Sequence, residues 1–216
     1  MPGVAAVHAA KPPRISSMAR RSGDPYSRDV HQLTYLSGQF LLAMPGMTDP
    51  HFDHAIIAMC AHDEGGALGI GVGATIDGIG FHALLDQFGI TPGDAPDAPV
   101  HYGGPVEPRR GFVLHSHDWQ GQDSVDVGGR WVLSSTVDVL RAIAEGRGPE
   151  RWIVALGYAG WDAGQLEGEL REPGCWFNVG GEPRILYDVG AGARWQAAFG
   201  AAGVDPRQLV TGGGTA

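Results

Sequence analysis

The sequence AIIAMCAHDEGGALGIGV, residues 55–72, is the clearest structural signal in the chain. Residues 55–60 and 67–72 are apolar runs with the length of a buried strand. The segment between them ends in His62-Asp63-Glu64-Gly65-Gly66, which is rich in residues that form turns. Two such runs joined by a glycine-containing turn indicate an antiparallel hairpin. We therefore predict a hairpin that carries a histidine and two carboxylates at its tip.

Apolar runs elsewhere in the chain predict further strands, with helices between them. The other strands are predicted over residues 40–44, 100–102, 111–115, 130–133 and 152–156. Helices are predicted over residues 81–88, 135–145, 166–170 and 191–200. Because this order is not a regular series of βαβ units, it predicts an α/β fold of α+β type, with a mixed sheet and flanking helices.

The composition is that of a folded globular domain. The 216 residues are 43% hydrophobic and 18% charged, and a chain of this length can bury a substantial core. Two cysteines provide neither a disulfide framework nor a Cys-x-x-Cys zinc site. Cys60 is predicted to be a core residue, and a reactive Cys175 would need a cation such as Arg171 beside it. No apolar run approaches the length of a membrane span, so we expect a cytoplasmic protein.

Positive charge is concentrated at the start of the chain. Residues 1–28 contain five Lys and Arg and one acidic residue, whereas residues 29–216 contain ten Arg against 23 Asp and Glu. Residues 1–32 are predicted to be a disordered basic head or an extension from an upstream start codon, with a phosphate-binding arm as the alternative. A single domain is expected over residues 33–208 and a flexible tail over residues 209–216. Because the domain is acidic, we expect no direct nucleic acid binding.

The common catalytic motifs are missing from the sequence. Lys11 is the one lysine, so the sequence has no phosphate-binding loop of the Walker type, and it has no Gly-x-Ser-x-Gly motif of esterases. The segment Gly69-x-Gly71-x-x-Ala74 matches a relaxed dinucleotide-binding motif, but residues 75–78 do not begin a helix. Glycines that let two backbones pack closely are the better interpretation.

The run His115-Ser116-His117-Asp118 resembles a metal site. On a strand, His115 and His117 project to one face, which is a usable spacing for metal ligands. His62 or His101 would have to supply a third ligand. The alternative is one buried histidine held by hydrogen bonds and one solvated histidine at the strand end.

Two histidines are candidates for acid–base catalysis. At the hairpin tip, His62 lies beside Asp63 and Glu64, and a neighbouring carboxylate can adapt an imidazole to proton transfer. His115 lies beside the hydroxyl of Ser116. A polar turn without catalytic function is the alternative at the tip.

Ser134 and Ser135 are nucleophile candidates with a competing structural interpretation. They precede a predicted helix, and Ser135 with Asp138 matches a capping box. Capping of the helix is the favoured interpretation for this position.

The segment Trp161-Asp162-Ala163-Gly164-Gln165-Leu166 also has two interpretations. As a helix start, Asp162 would be the cap, Gln165 would reach back to its N–H, and Trp161 would pack on Leu166. As a binding site, Trp161 and Glu167 would hold a ligand. The capping interpretation is favoured.

Four stretches together resemble the YqgE/AlgH family of bacterial proteins. Their order and spacing cover residues 36–205. The stretches are Gly38-Gln39-Phe40-Leu41-Leu42-Ala43-Met44-Pro45 with Asp49-Pro50-His51-Phe52, His62-Asp63-Glu64-Gly65-Gly66-Ala67-Leu68-Gly69, Gly103-Gly104-Pro105-Val106 with Arg110-Gly111-Phe112-Val113-Leu114-His115-Ser116, and Ala155-Leu156-Gly157-Tyr158-Ala159-Gly160-Trp161 with Gly164-Gln165-Leu166-Glu167.

The resemblance implies an α/β fold in which a bent sheet forms a pseudo-barrel with flanking helices. The family carries the label of a transcriptional regulator, through a link to exopolysaccharide control, and the resemblance implies no reaction and no cofactor. Where relatives have an Asn, a basic residue and a Pro after Leu68-Gly69, this chain has Gly73, Ala74 and Thr75. This departure weakens a phosphate-binding hypothesis.

The leading functional hypothesis is a protein that binds a small ligand or a protein partner and affects regulation indirectly. If the family-like residues at strand ends and turns converge, they form the binding surface. A hydrolase that uses His62 or His115 is the alternative. The predicted surface consists of Asp49, His62, Glu64, Gly103, Gly104, Pro105, His115, Trp161 and Glu167.

Overall fold

A computed structural model of the chain describes residues 35–47, 49 and 52–210. The predicted head, residues 1–32, lies outside the described residues, as do residues 211–216 of the predicted tail. In the described part, ten strands form one sheet and five α-helices accompany it. The predicted α/β class is confirmed: the sheet is mixed, largely antiparallel, and curled into a half-barrel.

The elements follow one another with short connections. The strands are β1 Gln39–Ala43, β2 Ile56–Asp63, β3 Gly66–Gly71, β4 Thr75–Gly80, β5 Pro99–Tyr102, β6 Val106–His115, β7 Val125–Val127, β8 Trp131–Ser134, β9 Trp152–Asp162 and β10 Trp176–Gly180. The helices are α1 Phe81–Gln87, α2 Val137–Ala144, α3 Gln165–Arg171, α4 Pro183–Asp188 and α5 Ala191–Ala201, followed by the 3-10 helix Pro206–Val210. The strand order is β10-β1-β2-β3-β9-β6-β8-β7, while β5 pairs with β4 and β9.

The predicted hairpin is formed by β2 and β3 and is confirmed. Asp63 pairs with Gly66, so that Glu64 and Gly65 make a two-residue turn. The N–H of Gly65 donates to a carboxylate oxygen of Asp63 at 2.7 Å. Both strands are buried almost throughout. Their side chains alternate between the two faces of the sheet, and each face is covered by other parts of the chain.

The two faces of the sheet carry three hydrophobic cores. Phe40 and Leu42 of β1 enter a first core shared with α4 and α5, whereas Leu41 and Ala43 enter a second core shared with α3. A third core lies between α1, α2 and the strands β5, β6 and β9. The first core therefore covers one face, and the other two divide the opposite face.

Strand β9 is the centre of the sheet. One of its edges pairs with β6, and its other edge pairs with β5 over residues 154–156 and with β3 over residues 159–162. The sequence predicts this strand only over residues 152–156, but it continues through Gly157 and Gly160 to Asp162. Its 11 residues are long enough to pair with three strands, β3, β5 and β6.

The chain passes from one edge of β9 to the other through a glycine crossing. Strand β5 and strand β6 flank β9 on opposite edges, and only residues 103–105 connect them. A Cβ atom on Gly103 would overlap the carbonyl oxygen of Gly157, and a Cβ on Gly104 would overlap the backbone of Tyr158. Gly157 itself has a φ of +75°. The two backbones therefore touch directly, which only glycine permits.

A buried arginine fixes helix α5 to the sheet. The Arg194 guanidinium donates to the carbonyls of Val72 at 2.6 Å and Val189 at 2.9 Å, and to Nε2 of His101 at 2.7 Å. His101 accepts at Nε2 and donates from Nδ1 to the Val154 carbonyl at 3.3 Å, so its ring is neutral. Burial, and then the positive charge of Arg194, lower the pKa of His101 to about 4.

The glycine crossing predicts a large steric effect of one added methyl group. We expect Gly103→Ala to lower the free energy of unfolding by at least ~2 kcal/mol, because the methyl group meets rigid backbone. As a control, Gly168→Ala lies in α3, where a Cβ meets nothing within 4 Å, and should raise the free energy of unfolding by about 0.5 kcal/mol. Urea unfolding measures both; equal stability of the two variants would contradict the crossing.

The neutral, buried His101 predicts that stability falls with acid. Unfolded His101 titrates near 6.5 and folded His101 near 4, so the unfolded state binds more protons between these values. The free energy of unfolding should therefore decrease as the pH falls through this interval, by up to roughly 3 kcal/mol from this residue. His101→Gln should make the free energy of unfolding depend less steeply on pH. Burial also lowers the pKa of His115, so this residue contributes part of the dependence that is left. Urea unfolding across this interval should show a shallower slope in the variant; an unchanged slope would contradict the assignment.

Candidate functional site

The residues predicted to share one surface fall into three separate groups. Pairing registers locate them along β9: Ala67 pairs with both His62 and Trp161, whereas His115 pairs with Trp152. His62 thus lies level with the carboxyl end of β9 and His115 with its amino end. Nine residues of strand separate these levels, a path of up to about 30 Å.

The first group surrounds the hairpin tip and unites His62 with Glu167. Nδ1 of His62 accepts from the N–H of Leu36 at 3.2 Å, so Nε2 carries the proton and donates to Glu167, also at 3.2 Å. The ring of Tyr35 contacts the imidazole edge-on. The His62 side chain is only 2% exposed, whereas Glu64 in the turn is exposed. His62 therefore ties residues before β1 to helix α3.

Trp161 takes part in a buried polar cluster around Glu169. The indole N–H groups of Trp161 and Trp176 donate to Oε2 of Glu169 at 3.0 and 2.8 Å, and the Gln165 amide donates to Oε1 at 2.9 Å. The side-chain oxygen of Gln165 also accepts from the N–H of Asp162 at 3.0 Å. This last contact is the predicted one, but the predicted cap is wrong: Gly164 precedes α3, no side chain caps the helix, and Asp162 ends β9. Trp161 is buried within the fold.

The second group lies at the glycine crossing. Gly103, Gly104 and Tyr102 line a cavity of about 180 Å³ beside the start of α5. Burial, and then the negative charge of Asp49, raise the pKa of Tyr102. Pro105 is exposed. The close backbone contact accounts for both glycines without any ligand.

The third group is a chain of hydrogen bonds that starts from His115. Nδ1 lies 2.8 Å from the backbone carbonyl of Ser116 and must donate to it. Nε2 lies 2.9 Å from Oγ of Ser134, and that oxygen lies 2.9 Å from Oγ of Ser124, which accepts from the N–H of Gly121 at 2.8 Å. Burial lowers the pKa of His115, which favours the neutral ring. The ring therefore contacts the hydroxyl of Ser134, not that of Ser116.

The neighbours of His115 point elsewhere. The Ser116 hydroxyl donates to the Asp118 carboxylate, and His117 lies on the surface with Nε2 2.7 Å from the Asp126 carboxylate. His115 is fully buried. Within the described residues, no group of three His, Cys, Asp or Glu is arranged to hold a metal ion. The structure thus shows one buried and one solvated histidine, which is the arrangement that the sequence left open as the alternative to a metal site.

A large open space adjoins this third group at Ser134. A cavity of about 530 Å³, which we call the α1–α2 cavity, lies between these helices and the sheet. Its walls are mostly apolar, and polar side chains lie at the junction of β8 with α2 and at residues 87 and 109. The lining residues are Ile76, Ile79, Leu84, Gln87, Phe88, Pro108, Arg109, Gly111, Phe112, Val113, Ser134, Ser135, Thr136, Val137, Leu140, Val154 and Leu156.

The junction of β8 with α2 is held by side-chain hydrogen bonds. Ser135 donates to the Asp123 carboxylate at 2.7 Å, and the Thr136 hydroxyl donates to Asp138. Thr136 is the residue before α2, and no side chain caps the helix. The predicted helix is confirmed, but the predicted capping box is wrong. The Ser135 hydroxyl contacts Asp123 instead of the helix, and the Asp138 carboxylate accepts from Thr136.

The sequence hypotheses missed the α1–α2 cavity. Only Ser134 and Ser135 among the catalytic candidates line it. The sequence feature that points to this cavity is Gly111, because a glycine within a predicted strand leaves space beside the sheet. A Cβ on Gly111 would meet nothing within 4 Å, so the space is open.

Neither cysteine is activated as a nucleophile. Burial raises the pKa of the Cys60 thiol to about 12. Burial, and then the charge of Glu172, raise the pKa of Cys175. Both thiols therefore stay protonated at neutral pH.

Comparison with known proteins assigns the chain to one group of bacterial proteins. Residues 40–207 match the family described as AlgH-like. A UPF0301 protein of Novosphingobium aromaticivorans is 60% identical over 181 residues, which cover 84% of this chain and 97% of the relative. A UPF0301 protein of Rhizorhabdus wittichii is 58% identical over the same shares of both chains.

Solved structures show the same fold. The solution structure of the AlgH protein from Pseudomonas aeruginosa superposes with a TM-score of 0.67 at 36% identity, covering 88% of this chain and all of that one. A Corynebacterium diphtheriae protein has a TM-score of 0.66 at 18% identity, which shows the fold alone. Sequence and structure together place the chain in the AlgH-like family.

Proposed function

We propose that the protein binds a small, largely apolar ligand with one anionic or hydrogen-bond-accepting group in the α1–α2 cavity. The observation that carries this proposal is the cavity itself. Its volume of about 530 Å³ falls within the range of small-molecule sites, and its apolar walls with few polar groups match their usual character.

The charge of the ligand follows from Arg109. It is the one charged residue that lines the cavity, and it forms no ion pair with any residue that the structure describes. The next residue, Arg110, instead pairs with Glu107 at 3.0 Å and covers the ring of Phe112. An unpaired guanidinium beside apolar walls favours a ligand whose polar end is a carboxylate or another acceptor.

Any regulatory effect would act through the occupied cavity and a protein partner, and not through DNA. Residues 35–210 contain ten Arg and 22 Asp and Glu, so they carry a net negative charge. The phosphates of DNA would repel this charge. We place this activity in the cytoplasm. In the described part of the chain, no helix has the length and apolar character needed to cross a membrane.

Filling the cavity should weaken ligand binding without unfolding the protein. Gly111→Leu adds a side chain in open space on the wall, so we expect at least ~10-fold weaker binding of the probe anilinonaphthalene sulfonate, which combines apolar rings with an anion. Fluorescence titration measures the affinity. Gly180→Leu is the control, because its site is equally open but does not line this cavity. Equal binding by wild type and both variants would refute the proposed site.

The two neighbouring arginines separate charge recognition from general electrostatics. We expect Arg109→Gln to weaken binding of the same probe about fivefold, since one exposed ion pair is lost. Arg110→Gln removes the same charge beside the cavity and should leave the affinity unchanged. A titration in which both variants lose affinity equally would show that Arg109 has no specific role.

A further inference from the structure

We propose that Ser134, on the wall of the α1–α2 cavity, and its hydrogen-bond partner His115 form a nucleophile and general-base pair, and that this pair transfers the acyl group of small apolar esters or thioesters. This inference rests on the proposed ligand site, because the acyl chain would occupy the same cavity. Membership in the AlgH-like family does not by itself imply this reaction.

The hydrogen-bond directions fit the roles of the two residues. The Ser116 carbonyl requires a proton on Nδ1 of His115, so Nε2 is an acceptor. The Ser134 hydroxyl, 2.9 Å away, therefore donates to Nε2, as a nucleophile does to its base. The Ser116 carbonyl fixes the tautomer, which is the role of the carboxylate in a catalytic triad. Ser124 then donates to Ser134 and orients its remaining lone pairs.

The position of Ser134 in the fold suits a nucleophile. It is the last residue of β8, and α2 begins three residues later. Nucleophilic serines of α/β-hydrolases lie at such a strand–helix junction. Val113 pairs with Ser134 across the sheet, and both line the cavity. Ser134 is thus a buried residue, 1% exposed, on the cavity wall.

The other nearby serines are engaged differently. The Ser116 hydroxyl donates to Asp118 and accepts from the N–H of Arg151 at 3.1 Å, and that of Ser135 donates to Asp123. Ser124 contacts only a second hydroxyl and a backbone N–H among the described residues. Of the serines in the described part of the chain, Ser134 alone combines a histidine acceptor with a position on the cavity wall.

The reaction requires only the ester or thioester and one water molecule. Oγ of Ser134 forms a bond to the acyl carbon while its proton passes to Nε2 of His115. As the bond between the acyl carbon and the leaving oxygen or sulfur breaks, His115 returns that proton to the leaving group. Water then attacks the acyl-serine, gives a proton to Nε2, and releases the acid, after which Oγ of Ser134 recovers the proton.

The test is covalent labelling of the full-length protein with a fluorophosphonate that carries an octyl chain. We expect a single adduct by intact mass spectrometry, located on Ser134 by peptide mapping. Ser134→Ala should lose the adduct, whereas Ser37→Ala, which lies outside the cavity, should keep it. Hydrolysis of p-nitrophenyl hexanoate should fall at least ~100-fold in kcat/KM for Ser134→Ala and for His115→Gln.

The wild-type adduct decides the proposal even if a variant fails to fold. Absence of any adduct, or an adduct on another residue, overturns it, as does ester hydrolysis that survives Ser134→Ala. Anilinonaphthalene sulfonate binding distinguishes this failure from failure of the ligand site. Binding that Gly111→Leu weakens, without an adduct on Ser134, leaves the ligand site supported and rejects the acyl transfer.

Discussion

The contact between two bare backbones at Gly103 and Gly157 is the constraint on which the rest of the sheet depends. Strand β9 has hydrogen-bonded partners on both edges, so a chain that leaves one edge can reach the other only across its face. Three residues make this crossing, and a short path requires a close approach. Any side chain would hold the backbones apart and separate β5 or β6 from β9.

The register of β6 after the crossing shapes the cavity wall. The pairing of β6 with β9 is irregular between Val106 and Gly111 and regular from Gly111 onward. In this regular part, Val113 faces Ser134 on β8 and His115 faces Val132. Because side chains alternate across a strand, Val113 and His115 share the face covered by α2. A slip of one residue would turn His115 into the first core and break its hydrogen bond to Ser134. The pairing of β6 with β8 and β9 from Gly111 onward thereby sets the polar geometry around His115.

The sequence was informative where the signals are local. The hairpin and the contact from Gln165 to Asp162 involve residues close in the chain, and both are confirmed. The length of β9 was underestimated because Gly157 and Gly160 interrupt its apolar run. His115 and Ser134 are 19 residues apart in the chain, and their contact depends on the register between β6 and β8, which no local pattern contains. Ser116, the neighbour in sequence, was the wrong partner for the same reason.

Three buried histidines show how partners determine what an imidazole can do. His62 donates to a carboxylate and His101 accepts from a guanidinium, and both contacts are charge-assisted, so a ligand would have to replace a strong interaction. His115 contacts only a carbonyl and a hydroxyl. A neutral hydrogen bond to a hydroxyl is weaker, and the hydroxyl can transfer its proton once its oxygen bonds to another atom. Of the three, His115 alone has a hydroxyl partner that lines a cavity, as proton transfer from that hydroxyl during attack on a bound molecule requires.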